Sequence, residues 1–206
     1  MVKIGINGFG RIGRLILRAL LENYKDKIQV VAINDLGSIE TNAHLIKYDS
    51  THGILNHDVK TSKDGFEISN QKIKVFSEKD PSKISWGKVG ADVVLECTGI
   101  FLDKSSAGNH IKGGAKKVII SAPAKEVDFT VVQGVNSKEL LKNHNIISNG
   151  SCTTNCLAPV AMVLENNFGI EYGYMTTIHS YTGDQKLLDT LHKDLRRARA
   201  TEGAMI

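Results

Sequence analysis

Short apolar runs and helically spaced apolar residues alternate along the first three quarters of the chain. Residues 2–6, VKIGI, are short, apolar and alternating, and predict a strand. The glycine-rich NGFGRIG follows. Leu15, Ile16, Ala19 and Leu20 then recur at helical spacing and predict a helix over RLILRALLEN. Residues 28–35, IQVVAIND, form a β-branched apolar run, the mark of a strand buried on both faces. These pieces make one βαβ unit within the first 35 residues.

Further along, TNAHLIKY predicts a weak helix, and GFEISNQKIKVFS a hairpin with Asn70 near its turn. Residues 91–99, ADVVLECTG, read as another buried strand. KSSAGNHIKGG reads as a helix closed by glycines, and KKVIISAPA as a strand. FTVVQGVN and NIISNGS are two more short extended runs. TTNCLAPVAMVLENNFG predicts a helix starting near residues 151–153, with Pro159 set to kink it. EYGYMTTIHS reads as a strand, and the polar, poorly periodic stretch after it as a loop. Strands alternating with helices define an α/β fold: a Rossmann-type, doubly wound, mostly parallel sheet with helices on both faces and right-handed crossovers.

Composition adds limits. At 206 residues the chain holds one ordinary domain and part of another. Its 41% hydrophobic and 23% charged content is that of a soluble globular protein. No apolar run is long enough to cross a membrane, and the start does not read as a signal peptide. Three cysteines, an odd number, argue against a disulfide framework and for a reducing compartment, and a cytoplasmic location is expected. A net charge of +4 suits a small anionic ligand and is too weak to point to nucleic acid.

Two segments carry chemistry. In Gly8-Phe9-Gly10-Arg11-Ile12-Gly13 a strand precedes, a helix follows, and the next strand ends in Asp35, 35 − 13 = 22 residues past the last glycine. In a dinucleotide site Gly8 makes the tight turn, Gly10 admits the pyrophosphate and Gly13 lets the helix pack on the strand. The helix N-terminus faces the phosphates, and Asp35 takes the adenine ribose hydroxyls and repels a 2′-phosphate. The alternative is an ordinary glycine turn beside a solvated Asp.

The second segment is ISNGSCTTNCLAP, residues 146–158. Cys152 sits at the predicted helix start, where the helix dipole favours a thiolate, and is the nucleophile candidate. Cys156 lies one turn deeper and is expected to face the interior, and Cys97 to belong to the core. A metal site needs further ligands at short spacing, which the sequence does not offer. Among seven histidines, His179 ends a predicted strand just after the nucleophile helix, so it is a candidate base, against the alternative of a structural histidine.

INGFGRIGR, KYDSTHG, ISAPAK, SCTTNCLAP and HSYTGDQKLLD together resemble the phosphorylating glyceraldehyde-3-phosphate dehydrogenases, over essentially the whole chain. The resemblance implies residues 1–150 as an NAD(P)-binding Rossmann domain and 151–206 as the start of an α+β catalytic domain. It implies oxidation of D-glyceraldehyde 3-phosphate to 1,3-bisphosphoglycerate with NAD, through a thiohemiacetal and a thioester on Cys152 with His179 as its activating base. Ser151, Thr153 and Arg197 match the inorganic-phosphate side and Thr182 the substrate-phosphate side. Cofactor contacts carry over to Arg11, Ile12, Asp35, Lys79, Thr98, Gly99 and Ser121 beside the three glycines. The loop over 180–200 resembles a segment that packs between subunits, which implies a homotetramer.

The chain departs from the family pattern in two places. It stops where the family's catalytic domain is beginning, so it is expected to be a fragment of a longer enzyme and inactive alone. Thr190-Leu191 stands where strictly NAD-dependent members usually carry Leu-Pro, which leaves NADP or dual use open while Asp35 favours NAD. An erythrose-4-phosphate dehydrogenase, or a catalytically silent nucleotide-binding, RNA-binding or adhesion module, are the competing readings.

Overall fold

The computed structural model describes residues 1–201, which divide into two compact units, Met1–Phe168 and the segment from Gly169 onward, each taken by itself below. The first unit opens with β1 (Val2–Asn7), α1 (Arg11–Asn23), β2 (Ile28–Asn34) and α2 (Ile39–Lys47). A small antiparallel pair, β3 (Tyr48–Asp49) and β4 (Gly53–Ile54), precedes the meander β5 (Val59–Ser62), β6 (Gly65–Ile68) and β7 (Gln71–Phe76). Then come β8 (Val93–Glu96), α3 (Lys104–Ala107), α4 (Asn109–Lys112), β9 (Lys117–Ile120), β10 (Phe129–Thr130), β11 (Ile146–Ser148) and α5 (Cys152–Phe168).

Nine strands form one sheet in the order β10-β11-β9-β8-β1-β2-β7-β6-β5. Every pairing from β10 to β7 is parallel, and only the β7-β6-β5 end is antiparallel. This is the mostly parallel Rossmann-type sheet that the apolar runs predict. On one side Ile4, Ile6, Val30 and Ile33 pack with Leu17 and Leu21 of α1 and Ile46 of α2. On the other, Trp86 fills a second core with Ala32, Ile84 and Val94. Gly5 makes room for that ring, since a Cβ there would lie 2.4 Å from it.

The predicted hairpin turns at Ser69-Asn70, both with positive φ (52° and 63°), the backbone of a tight primed turn. Several expectations need correction. The helix over 104–114 is two short helices divided at Gly108. The run at 129–136 gives only the two-residue β10. β5 has no clear apolar alternation and is held by its pairing to β6. Helix α5 runs unbroken through Pro159, whose missing N–H costs only the bond to the carbonyl of residue 155.

In the second unit the strand expected over 171–180 does not form, and Tyr174 and Ile178 are fully exposed. A strand exists by pairing, and no strand among the described residues lies beside this one. The segment over 182–201 is closed by its own bonds. Thr190 N–H donates to the Ala198 carbonyl (2.9 Å) and Thr201 N–H to the Lys186 carbonyl (2.9 Å), with one 3₁₀ turn, Leu195–Ala198, between them. Among the described residues no helix is long and apolar enough to cross a membrane.

Candidate active site

Because β2, β1, β8, β9 and β11 are parallel neighbours, their C-terminal ends share one edge of the sheet. Asp35 follows β2, the glycine turn follows β1, Thr98 and Gly99 follow β8, Ser121 follows β9, and Cys152 follows β11 by four residues. Five groups scattered over 145 residues of sequence therefore stand in line along that edge. Ligands of open α/β sheets bind there.

The three glycines do different work. Gly8 has φ +87°, and a Cβ on it would come within 2.8 Å of Thr98. A Cβ on Gly13 would lie 2.3 Å from the Gly8 carbonyl oxygen, so α1 packs directly on the turn. Gly10 has nothing within 4 Å, and the space above it is open. Gly10 is also the N-cap of α1, and no side chain caps the helix. The first-turn N–H groups and the positive helix end are thus presented beside a bare backbone, the arrangement that receives a phosphate. Asp35 is anchored by N–H donors from Phe9 (2.9 Å) and Gly37 (2.8 Å) and lines a cleft of about 530 Å³ together with Gly8, Gly10, Lys79, Cys97 and Thr98. These features fit a dinucleotide.

The remaining cofactor candidates fall in different places. The Arg11 guanidinium pairs with Asp49 and reaches His52 at 3.3 Å, and Ile12 is half exposed on the first turn. Asp49 is held well below the usual carboxylate range, first by the backbone N–H of His52 and then by Thr51 and Arg11. Gly99 is exposed with φ +72°. The Ser121 N–H donates to the Glu96 carbonyl at 3.0 Å, and its side chain bonds the Cys97 thiol. Burial pushes that thiol up to about 12. Cys97 packs partly buried against the core, as expected, and also lines the cleft.

Beneath the cleft lies a polar network that the sequence reading missed. Asn34 Nδ2 donates to Asn7 Oδ1 (2.8 Å), and Asn7 Nδ2 donates to Glu96 Oε2 (2.6 Å). His110 Nε2 meets the same Glu96 oxygen at 2.9 Å, and Trp86 Nε1–H donates to His110 Nδ1 at 3.0 Å. Glu96 Oε1 takes the Thr98 N–H (2.7 Å) and the Thr98 hydroxyl. Asn7, Asn34 and Glu96 are all buried. Each stands in the last position of an apolar strand, and that was the available signal.

The thiol region is built by a strand-turn-helix. After β11, Gly150 turns at φ +66° with its N–H on Ser148 Oγ (3.0 Å). Ser151 caps α5, its Oγ accepting the Thr154 N–H at 2.9 Å. Asn155 Nδ2 ties the approach by donating to the carbonyls of Asn149 (2.7 Å) and Ser151 (2.9 Å). Cys152 is therefore the first residue of the helix and exposed, with Thr153 Oγ1 3.9 Å from its sulfur. Cys156 is exposed as well, against the expectation that it faces the interior, because α5 buries none of its residues. No cluster of metal-ligating side chains occurs among the described residues.

His179, Thr182 and Arg197 belong to the second unit, while Ser151, Cys152 and Thr153 belong to the first. His179 Nδ1 donates to the Ser180 carbonyl at 2.6 Å, which places the proton of a neutral ring on Nδ1. Thr182 bonds Gln185 through its N–H (2.6 Å) and its hydroxyl (3.1 Å). Arg197 pairs with Asp184, and Arg196 grips Asp194 through two bonds that hold this carboxyl at about 2.

A glycine turn feeding a helix on a mostly parallel sheet and an acid following the second strand define a nucleotide-binding α/β protein, and an exposed cysteine stands at the head of a helix that follows the same edge. Residues 2–104 match the profile of the glyceraldehyde 3-phosphate dehydrogenase NAD binding domain, and residues 151–206 that of the C-terminal domain of the same enzyme. The chain belongs to the glyceraldehyde-3-phosphate dehydrogenase family. It is 54% identical to glyceraldehyde-3-phosphate dehydrogenase of Xanthobacter flavus over 205 residues, covering 100% of this chain and 61% of that protein. It is 55% identical to glyceraldehyde-3-phosphate dehydrogenase 1 of Bacillus cereus, again over 100% of this chain and 61% of that protein. With the Streptomyces coelicolor enzyme it shares 56% identity over 97% of this chain and 59% of the relative. The chain thus spans about three fifths of the length of the curated relatives it matches.

Proposed function

We propose that this chain carries the dinucleotide site and the nucleophile of an enzyme that oxidises D-glyceraldehyde 3-phosphate with NAD and phosphate to 1,3-bisphosphoglycerate. The observation that carries this reading is the order of groups along the sheet edge: Asp35, Gly10, Thr98, Ser121, Cys152. Three strand spacings of about 4.8 Å separate β1 from β11, so these two strands lie roughly 14 Å apart in the sheet. Asp35 would hold the ribose of a dinucleotide, and the backbone at Gly10 with the head of α1 its pyrophosphate.

Cys152 adds through sulfur to the aldehyde carbon, giving a thiohemiacetal. The first-turn N–H groups of α5 stabilise the sulfur anion beforehand and face the oxygen that becomes negative. His179 takes the thiol proton as sulfur attacks, returns it to the alkoxide oxygen to complete the thiohemiacetal, and takes it again from that hydroxyl as the carbonyl re-forms. Bound NAD supplies the acceptor for the hydride that leaves the same carbon. The product on Cys152 is a thioester, which phosphate attacks to release the acyl phosphate and the thiol. Ser151, Thr153 and Arg197 suit the attacking phosphate, and Thr182 the phosphate of the substrate, since hydroxyls and a guanidinium match its acceptor oxygens. We assign residues 1–150 to cofactor binding and 151–206 to the beginning of the catalytic domain. The exposed Ile178, Leu188 and Leu191 of the second unit suit burial against another subunit of a homotetramer.

The test is steady-state NADH formation by the protein that contains this chain, with glyceraldehyde 3-phosphate and with erythrose 4-phosphate, each with and without phosphate. Phosphate-dependent turnover that favours the triose is expected. Phosphate-independent turnover, or a preference for the tetrose, contradicts the assignment, and no turnover with either aldehyde favours a silent nucleotide-binding module.

A further inference from the structure

The buried network under the cleft has an unusual sign. Glu96 is 1% exposed, and its carboxylate lies below the turn that is to receive an anionic pyrophosphate. A charge at that depth costs anion affinity unless its contacts return more than its field removes. Those contacts reach both sides of the cleft. Oε2 holds Asn7, the last residue before the glycine turn, and Oε1 holds the N–H and hydroxyl of Thr98. The Thr98 hydroxyl in turn accepts the Ile100 N–H at 3.1 Å, so the carboxylate shapes the loop through Gly99. Gly8 rests on Thr98 so closely that a Cβ would not fit, which makes the two turns one surface.

The far end of the network fixes the orientation of the carboxylate. An indole N–H only donates, so His110 Nδ1 accepts from Trp86 and the proton of a neutral ring is on Nε2, aimed at Glu96. Asn7 Nδ2 and His110 Nε2 then converge as two donors on one oxygen. His110 and Trp86 are each 0% exposed, and neither lines the cleft.

We propose that Glu96 is a positioning residue for the dinucleotide: oriented by His110 and Trp86, it locks the glycine turn through Asn7 and the 98–100 loop through Thr98 into one binding surface. The inference rests on the dinucleotide reading above and adds residues which that reading does not use. A glutamine at 96 has the same shape but turns an NH₂ toward donors on one side or the other. Removing the charge alone would tighten binding of an anion, whereas removing the brace weakens it, so the direction of the change decides between them.

The experiment is calorimetric titration of the full chain with NAD, on wild type, Glu96→Gln and Trp86→Phe, with thermal melts of each. Because the chain has one tryptophan, the indole N–H gives a single resonance in a ¹⁵N-correlated spectrum. On wild type that resonance should move with NAD on the same isotherm as the heat, and in a folded Glu96→Gln it should not. NAD should bind Glu96→Gln about tenfold more weakly or worse, the effect of mispairing buried groups. Trp86→Phe, remote from the ligand, should lose about threefold and keeps the test open if Glu96→Gln fails to fold. Unchanged or tighter binding in a folded Glu96→Gln, or an indole resonance that ignores NAD in wild type, overturns the proposal, as does unchanged affinity in Trp86→Phe. A wild type that does not bind NAD overturns the dinucleotide reading itself and this inference with it.

Discussion

Two glycines three positions apart meet opposite demands. Gly13 touches the Gly8 carbonyl, so Gly13→Ala pushes α1 off the turn and should destabilise the fold by roughly 1–3 kcal/mol. Gly10 faces open space, so Gly10→Ala should cost at most the cap difference of about 1 kcal/mol. Urea melts of the two variants read the contrast, and equal losses would contradict these packing roles. The cysteines give a second prediction. Cys152 and Cys156 are both exposed, so access does not separate them, and only Cys152 sits at the helix start. Peptide mapping after brief alkylation near neutral pH should find Cys152 modified first. Cys97, its thiol pushed up to about 12 by burial, should be left intact. Equal labelling of Cys152 and Cys156 would remove the case for an activated thiol. The places of the glycine turn, of Asp35 after β2 and of Cys152 at a helix start were legible in the sequence, because each depends on the order of neighbouring elements. Glu96 and His110 were not, because 14 residues of chain separate a strand end and a short helix that only the fold brings together.

At the scale of elements, apolar runs predicted β2, β8 and β9, since burial on both faces leaves a local mark in sequence, whereas β7 was legible only as an arm of the hairpin and not as the parallel neighbour of β2. The turn at Asn70 was legible for the same local reason. The strand expected at 171–180 shows the limit: its pattern is a strand's, but pairing is not a property of the segment alone. Cys156 shows it again, because helical spacing places a residue on a face without saying what covers that face. The junction of α3 with the β10–β11 end of the sheet carries a pH dependence. Lys104 at 2.7 Å, then the backbone N–H groups of Ile146 and Asn145, hold the Asp128 carboxyl at about 2. Its folded value lies below the unfolded one near 3.8, so its contribution is complete above about pH 4 and is lost as the pH falls toward 2. Asp128→Asn should therefore be less stable than wild type near neutral pH, with the gap closing across that window in acid melts. A gap that stays constant there would mean the carboxylate is not what holds the junction.

At the scale of the whole molecule, the cofactor choice sets Asp35 against Thr190-Leu191. The Asp35 carboxylate is fixed by two backbone donors just past β2, and under the proposed function it accepts ribose hydroxyls and repels a 2′-phosphate. NAD should raise the melting temperature more than NADP at equal concentration, and Asp35→Asn should narrow the difference, read by thermal shift. A larger shift with NADP in wild type would mean that Asp35 does not govern the choice.

The central claim is that a dinucleotide held over Gly10 and a thiol at the head of α5 serve one reaction. Peptide mass spectrometry after mixing the enzyme with glyceraldehyde 3-phosphate and NAD, without phosphate, tests it most directly. The account predicts an acyl adduct on the peptide carrying Cys152, formed only when NAD is present and discharged when phosphate is added. An adduct on Cys97 or Cys156, or one that forms equally well without NAD, would contradict it.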